Sequence, residues 1–540
     1  MKNRGADALA RVLRDDGHER IFTVSGNHVM SVFDAALDAG IVLVHARHEA
    51  ATVHMADARA RVSGEVGIAL VTGGPGHANA VSALYTARMA EAPLVLISGQ
   101  APRSQLGMGA FQEMAQADVA LPLAKAAWTC DRADEVANDL ARAIAIARSG
   151  RPGPVSLSIT SDALEGIASS QRAAAPALTD ALLGPGVADA ILERLQRASR
   201  PLVIVGPASM TRHGAKPARA LENATNVPVV GMESPRGIAD PSLGAFAEML
   251  ADADCVLLVG KRLDFTLRFG KPPAWRADCD VLQIDAEDGE VDRTRSAIGG
   301  RLVMAAHAAA EGALRTLSTR ARGFARDRHA GWRKDVADAV AYRPGAWANA
   351  SSNEAGRLHP LEILRPLQPI LDAHPDAVFV SDGGEFGQWG QAVLHAPHRV
   401  INGMAGAIGA ALPYAIGART ALPDAPIIAT LGDGTFGFHA AEMDTAARYA
   451  LRFVAVVGND ARWNAEYQIQ LREYGSARLV GCELAPTRYD ETCASLGGYG
   501  ELVTRSDDMA PAAARALSSG LPACVNVMME GLAAPSFARR

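Results

Sequence analysis

The sequence predicts an α/β protein with three doubly wound parallel-sheet domains, and three observations lead to that prediction. Short runs rich in Val, Ile and Leu alternate with helical segments along the chain, which is typical of buried parallel strands joined by helices. The 540 residues exceed what one hydrophobic core normally serves. Two stretches of different composition divide the alternating pattern into three parts.

The first predicted domain covers residues 1–165 and contains an amphipathic helix at 6–15 and a further helix at 50–62. Its predicted strands are 21–24, 41–44, 66–71, 94–98 and 155–159. An Ala-, Ser- and Pro-rich stretch at 165–185 then predicts a linker.

The second predicted domain covers residues 185–315, with strands at 201–206, 254–260 and 281–285. A charged stretch at 315–334, followed by 349–356, predicts a second connection. The third domain covers 356–540, with strands at 377–381, 427–431, 453–457 and 523–528.

Composition excludes several classes of protein. The formal net charge is only −6, and Lys and Arg are scattered, so we expect no nucleic-acid partner. The six cysteines lie far apart without a Cys-x-x-Cys pair, which favours reduced thiols in the cytoplasm. No run of 18 apolar residues occurs and the N-terminus starts a charged helix, so we expect neither membrane insertion nor export.

A glycine-rich turn follows the strand predicted at 427–431. This strand runs into Gly432, Asp433, Gly434 and Thr435, at the carboxyl end where parallel sheets bind ligands. Glycines allow the backbone to approach a phosphate, and an aspartate offers a hard oxygen to a divalent cation. The same turn also occurs as an ordinary tight turn, so its interpretation depends on the next strand end.

The next predicted strand ends in Asn459 and Asp460, followed by Arg462 and Trp463. Together the two strand ends resemble the signature of thiamine-diphosphate enzymes, Gly-Asp-Gly followed at a set spacing by Asn-Asn. This resemblance implies thiamine diphosphate and Mg²⁺ as cofactors, with Asp433, Asp460 and the backbone carbonyl of Arg462 as metal ligands. Because Asp460 replaces the family's second Asn, Asn459 remains an alternative ligand.

Two upstream segments fit the same family. Gly384, Glu385 and Phe386 follow a predicted strand, where the family holds the diphosphate. The segment with Met404, Gly406 and Ile408 is similar to the loop that meets the aminopyrimidine ring, and the resemblance makes Ile408 the bulky residue between the two cofactor rings. The alternatives are an ordinary strand-to-helix turn and a core isoleucine.

Glu49 lies at the start of a predicted helix directly after a strand. A glutamate there also serves as simple compensation of the helix dipole. However, the segments 47–51, 55–57 and 71–79 resemble the family's pyrimidine-binding domain in order and spacing. The resemblance implies that Glu49 hydrogen-bonds the pyrimidine N1′ and thereby promotes loss of the thiazolium C2 proton. The residues 58–61 depart from the family pattern, which puts local helix packing in question.

Two further residues are candidates for substrate contacts. Gln112, in the segment 107–116, matches a family loop that enters the partner subunit's site, although a solvated loop amide is the alternative. His28 sits where relatives resembling benzaldehyde lyase place a catalytic histidine, and a loop histidine without a role is equally compatible. Relatives form each site between subunits, which implies a homodimer or homotetramer.

The reaction is less closely defined than the cofactor. Acetolactate synthases share the loop around Gln112, so the first hypothesis is a carboligase or decarboxylase of 2-oxo acids. The segment 260–273 is similar to 2-hydroxyacyl-CoA lyases, and the position of Trp463 is similar to that in benzaldehyde lyase. A lyase of 2-hydroxy ketones or 2-hydroxyacyl-CoA is therefore the alternative, and the expected substrate is a 2-oxo acid, an aldehyde or a hydroxyacyl compound. A third hypothesis is an inactive regulatory protein that binds the cofactor. FAD or ADP in the central domain is undecided.

Overall fold

A computed structural model describes residues 3–168 and 178–539. It contains three sheets, of six, five and six strands, and every pairing between their strands is parallel. Helices connect the strands, which confirms the predicted α/β fold. Part of the predicted linker at 165–185 lies outside the described residues.

The N-terminal sheet has the strand order β2-β1-β3-β4-β6-β5. Its strands are β1 (Arg20–Thr23), β2 (Val42–His45), β3 (Gly67–Val71), β4 (Leu94–Gln100), β5 (Ala126–Cys130) and β6 (Pro154–Thr160). Its helices are α1 (Gly5–Asp15), α2 (Met30–Ala39), α3 (Glu49–Ser63), α4 (Pro75–Met89), α5 (Gln116–Ala120), α6 (Val136–Arg148) and α7 (Ser161–Glu165).

The central sheet has the order β11-β10-β9-β7-β8. Its strands are β7 (Pro201–Val205), β8 (Val229–Gly231), β9 (Cys255–Val259), β10 (Asp280–Asp285) and β11 (Leu302–His307). The helices of this region are α8 (Pro185–Arg197), α9 (Ala215–Thr225), α10 (Phe246–Asp252), α11 (Asp288–Ile298), α12 (Ala310–Arg320) and α13 (Ala330–Ala341). Part of the charged stretch predicted as a connection is helical, because Trp332 and Val336 of α13 are buried in the central core.

The C-terminal sheet has the order β13-β12-β14-β15-β17-β16. Its strands are β12 (Val378–Ser381), β13 (His398–Ile401), β14 (Ile427–Gly432), β15 (Val454–Asn459), β16 (Tyr499–Val503) and β17 (Ala523–Met528). Its helices are α14 (Pro360–Leu364), α15 (Gln368–Asp372), α16 (Gly384–Val393), α17 (Ala411–Ala421), α18 (Asp433–Phe436), α19 (Glu442–Arg448), α20 (Asn464–Tyr474), α21 (Tyr489–Ser495) and α22 (Met509–Ser518).

The N-terminal and C-terminal sheets share one hydrophobic core, in which helix α3 packs against α17. The helices approach closely at Gly417, where an added Cβ would lie 2.2 Å from the Met55 carbonyl oxygen. The departure from the family pattern at 58–61 is accommodated here: Ala58 is buried, and Arg61 donates to Asp57 and to the Ile401 carbonyl. This packing fixes where α3 begins, and therefore where Glu49 lies.

Within the part of the chain that the structure describes, no helix is both long and apolar enough to cross a bilayer.

His54 lies inside this shared core and gives a prediction for pH dependence. Its ring centroid is 5.8 Å from that of His439, and its Nδ1 has no hydrogen-bond partner. Burial, followed by the nearby charges of His439, Arg61 and His48, lowers the pKa of His54 to about 3. The unfolded chain takes up this proton below about pH 6.5 whereas the folded chain does not, so stability falls as the pH drops through that window.

We therefore expect His54→Gln to make the unfolding free energy less dependent on pH, by about 2 kcal/mol between pH 6.5 and 5. Thermal unfolding of the cofactor-free wild type and of His54→Gln at both pH values measures this pH dependence. The contributions of the other titrating groups are the same in both proteins, so they cancel in the difference. His395→Gln, whose side chain is 78% exposed, is the control. Equal pH dependence in His54→Gln and the wild type would contradict the account.

Candidate active site

Two carboxylates lie at the ends of adjacent strands in the C-terminal sheet. The pairing of β14 with β15 places Gly432 beside Gly458, and Asp433 and Asp460 follow directly after these strand ends. Both side chains are buried, at 2% and 5% exposure. The structure therefore places the two predicted carboxylates at the ends of neighbouring strands.

The environment of this pair fits a divalent cation. Burial raises the pKa of Asp433 to about 6, and burial together with the charge of Asp433 raises the pKa of Asp460 to about 7. Asp433 Oδ1 accepts from the Gly434 N–H at 2.9 Å, but its buried Oδ2 has no hydrogen-bond partner. A cation between the carboxylates would satisfy this oxygen and offset the repulsion, and carboxylates are ligands that Mg²⁺ prefers.

Asn459, the alternative ligand, is anchored through its amide nitrogen, whereas its buried Oδ1 has no hydrogen-bond partner among the described residues. Its Nδ2 donates to the Thr487 carbonyl at 2.9 Å and to Asn526 Oδ1 at 3.2 Å, which ties β15 to β17. By contrast, Asp460 Oδ1 accepts from the Arg462 N–H at 3.1 Å, on the side of Asp433. Both residues therefore stay candidates for the second oxygen ligand: Asn459 keeps an unpartnered Oδ1, and Asp460 lies close enough to Asp433 for that charge to raise the Asp460 pKa.

The Gly-Asp-Gly turn is shaped by its neighbours. An added Cβ at Gly434 would lie 2.7 Å from the Trp463 ring, so the ring packs directly on this glycine. Thr435 donates through Oγ1 to the Gly432 carbonyl at 3.1 Å, which closes the turn into the short helix α18. Glycine is required here because any side chain would displace the indole.

The segment 384–386 opens helix α16, and its side chains are occupied. The carboxylate of Glu385 accepts from Arg236 Nη2 and from the Ala534 N–H, both at 3.1 Å. Phe386 is 4% exposed and fills the space where Gly458 lacks a side chain. The first backbone N–H groups of helix α16 have no partner inside the helix. Because the side chains of the segment are occupied, any contact with a diphosphate would use these N–H groups.

Asp382 organises the loop 402–410 that precedes α17. Its Oδ1 accepts from the N–H groups of Gly383 and Gly409 at 2.7 and 2.8 Å, and Oδ2 from that of Ala411 at 3.0 Å. The loop presents Ile408 with 36% exposure, whereas Met404 is buried against the Lys261 ammonium at 3.6 Å. Gly406 has a φ of +68° and no neighbour within contact distance of an added Cβ.

In the N-terminal domain, the turn after β3 and the first residues of α4, at 72–79, contact the three predicted catalytic residues. His28 contacts Thr72 Oγ1 through Nδ1 at 3.1 Å, and the backbone of Gln112 packs on Gly74. Glu49 accepts from Asn79 Nδ2 at 3.0 Å through Oε2. These residues, distant in sequence, therefore form one cluster at the carboxyl edge of the N-terminal sheet.

His28 is 8% exposed, and burial lowers the pKa of its imidazole. Its ring is stacked on that of Phe111 with 6.3 Å between centroids. Phe111 itself is 69% exposed, next to the half-buried Gln112. The cluster thus offers a neutral imidazole beside an exposed aromatic ring.

Across the described ranges 3–168 and 178–539, no hydrogen bond or ion pair joins Glu49 to Asp433 or Asp460. Glu49 bonds to Asn79, whereas Asp433 and Asp460 interact with backbone N–H groups of the two turns at 433–434 and 461–462. The chain therefore carries two separate clusters, one around Glu49 and one around Asp433.

Sequence reasoning missed several residues that build these clusters. The sequence motifs do not point to Asp382, which fixes the Ile408 loop. They do not point to Gln116 either, which accepts from the Gly74 N–H at 2.8 Å and donates to Ser158 Oγ at 2.9 Å. Nor do they point to Glu442, which contacts the segment before Glu49. A charged or amide residue next to a strand end was the available signal for Asp382.

The central sheet has a switch point between β7 and β9, where sheets of this order bind nucleotides. Two residues of the N-terminal domain fill this crevice: Glu91 accepts from the Ala208 N–H at 3.0 Å, and Arg151 donates to the Gly260 carbonyl at 2.9 Å. Glu91 and Arg151 also pair with each other. The crevice at this switch point is thus lined by an ion pair from the N-terminal domain.

Comparison with known proteins identifies the family of each domain. The chain matches the family models described as thiamine pyrophosphate enzyme, N-terminal TPP binding domain, over residues 3–119, central domain over 188–311, and C-terminal TPP binding domain over 382–527.

Two groups of relatives match most of the chain. A probable acetolactate synthase of Mycobacterium bovis is 31% identical over 535 residues, which cover 97% of this chain and 95% of the relative. A 2-hydroxyacyl-CoA lyase 2 of Danio rerio is 29% identical over 555 residues, covering 93% and 87%, and that of Homo sapiens is 29% identical over 560 residues, covering 93% and 86%. The sheets, the two clusters and these matches together show that the chain belongs to the thiamine pyrophosphate enzyme family.

Proposed function

We propose that the protein is a thiamine-diphosphate- and Mg²⁺-dependent enzyme that makes or breaks a carbon–carbon bond next to a carbonyl, acting as a carboligase or decarboxylase of 2-oxo acids. The observation that carries the proposal is the pair of buried carboxylates Asp433 and Asp460, one of which has an unpartnered oxygen. A buried pair of like charges is costly unless a cation joins it, so the site is built for a metal-bound anion.

Each residue then has a defined task. Asp433, Asp460 and the backbone carbonyl of Arg462 would hold Mg²⁺, and the turn 432–435 with the N–H groups that open α16 would bind the diphosphate. Glu49 would hold a proton at the pyrimidine N1′, and Ile408 would separate the two rings. When bound, thiamine diphosphate supplies the carbon nucleophile that the protein lacks.

We propose that two copies of the chain complete each site. The cluster around Glu49 and the cluster around Asp433 have no polar contact within the described residues, which supports a site shared between chains. The loop that carries Gln112 also exposes two large apolar side chains, Met108 at 77% and Phe111 at 69%. A second copy that brings this loop against the Asp433 cluster would bury both.

A second candidate reaction, cleavage of a 2-hydroxy ketone or a 2-hydroxyacyl thioester, is favoured by His28. Its buried, neutral imidazole can accept the proton of a substrate hydroxyl, which is the first requirement for breaking the adjacent carbon–carbon bond. Synthesis from a 2-oxo acid has no such requirement at its first step. The two candidates therefore differ in the substrate and not in the cofactor.

The purified protein, loaded with thiamine diphosphate and Mg²⁺, should be tested separately with pyruvate, benzoin and a 2-hydroxyacyl-CoA. We expect carbon dioxide release or carboligation with pyruvate. Turnover of benzoin or the thioester, with no reaction of pyruvate, would replace the first candidate by the second.

A further inference from the structure

Glu442 joins the C-terminal domain to the turn that precedes Glu49. Its Oε1 accepts from the backbone N–H groups of Arg47 and His48 at 3.0 and 3.1 Å, almost 400 residues away in sequence. Its Oε2 accepts from Thr445 Oγ1 at 2.7 Å. Glu442 is 1% exposed, so both oxygens are committed in a buried setting where charge-assisted hydrogen bonds are strong.

Other side chains at the end of the same helix hold the start of this turn. Tyr449 accepts through its hydroxyl from the His45 N–H at 3.0 Å, and Arg448 donates to the His45 carbonyl at 2.7 Å. His45 is the last residue of β2, and Glu49 is the first residue of α3. The backbone between strand and helix is therefore fixed by helix α19 and the residue after it.

The last residue of the turn is fixed from its other side as well. His48 Nδ1 accepts from the Ala50 N–H at 3.1 Å and caps α3. Because its N–H is bound to Glu442, the backbone of His48 cannot turn without breaking a partly buried hydrogen bond. These hydrogen bonds hold the backbone directly before Glu49, the first residue of α3, and therefore determine where its side chain starts.

We propose that Glu442 is a positioning residue for Glu49, which acts by holding the N–H groups of Arg47 and His48. The proposal rests on the proposed function for its catalytic consequence, but the contact itself is independent of that function. A proton-transferring group must stay within hydrogen-bond reach of its partner, and a displacement of about 1 Å costs on the order of 100-fold in rate.

Two measurements on the full-length protein test this. In the cofactor-free protein, hydrogen–deuterium exchange followed by mass spectrometry should show faster exchange of peptides covering residues 45–50 in Glu442→Ala, and near wild-type exchange in Glu442→Gln, which retains an acceptor. In protein saturated with thiamine diphosphate and Mg²⁺, the exchange rate of the cofactor C2 proton and kcat should fall about 10- to 100-fold in Glu442→Ala, while KM changes little.

Glu362→Ala is the matched control. Its carboxylate also accepts from two backbone N–H groups, those of Ser352 and His359 at 3.1 and 2.9 Å, in the same domain at the start of α14. We expect this variant to lose stability but to keep the C2 proton exchange rate. A comparable fall in C2 exchange in Glu362→Ala would show a general effect of destabilisation and overturn the proposal.

Unchanged protection of residues 45–50 in Glu442→Ala would overturn the proposal whether or not the cofactor binds. Faster exchange of these residues with a wild-type C2 rate would also overturn it, because the turn would then not position Glu49. Failure of the wild type to take up thiamine diphosphate would instead remove the proposed function, and the exchange of the cofactor-free protein would still decide whether Glu442 holds the turn.

Discussion

Asp433→Asn should abolish the Mg²⁺-dependent binding of thiamine diphosphate while leaving the cofactor-free protein at least as stable as the wild type. The substitution weakens cofactor binding but does not weaken folding, because Asp433 is a buried carboxylate with one unpartnered oxygen. Burial raises the pKa of Asp433 to about 6. Above that pH its charge opposes folding, and removing the charge relieves a cost of about 3 kcal/mol. We expect affinity for the cofactor to fall more than about 100-fold.

Titration calorimetry with Mg²⁺ present measures the first effect, and thermal unfolding at pH 8 measures the second. Asp460→Asn is the matched control, because it produces the Asn-Asn pair of the family signature and keeps an oxygen ligand at this position. It should retain binding. A lower unfolding temperature of cofactor-free Asp433→Asn, or wild-type affinity in that variant, would contradict the assigned metal site.

Glu49→Gln should lower kcat by about 100- to 10,000-fold with only a small change in cofactor affinity. Glutamine preserves the shape of the side chain and its contact with Asn79, but it cannot exchange a proton with the pyrimidine N1′. Steady-state kinetics at saturating thiamine diphosphate and Mg²⁺, together with the exchange rate of the cofactor C2 proton, measure the effect.

Glu65→Gln provides the comparison for this substitution. Glu65 follows the end of the same helix, is 47% exposed and pairs with Arg59, so its replacement should change neither rate nor binding. If Glu49→Gln turned over substrate at the wild-type rate, Glu49 would be a simple helix-terminal charge.

The central strands of each sheet were predictable because they are apolar on both faces. Strands such as β4 and β14 are buried along nearly their whole length, and apolar residues dominate their sequences. The strands that the sequence pattern missed, β5, β8, β11, β13 and β16, all lie at sheet edges. Several of these expose part of their length, so their composition does not differ from that of a loop.

The site was predictable where a short motif carries the chemistry. The turn around Asp433 and the helix start at Glu49 each stand in a contiguous segment, and the strand ends that hold them could be located from hydrophobic runs. Asp382 and Glu442 could not be found in this way, because their roles come from N–H groups 27 to 395 residues away. Tertiary folding brings these partners together, within the C-terminal domain for Asp382 and between the two domains for Glu442.

Calorimetric titration of thiamine diphosphate into the cofactor-free wild-type protein, with and without Mg²⁺, tests the central claim most directly. We expect saturable binding with Mg²⁺ that is lost in EDTA, since Asp433 and Asp460 would repel an anion without a cation between them. Absence of Mg²⁺-dependent heat, at protein concentrations where the chain is folded, would contradict the account.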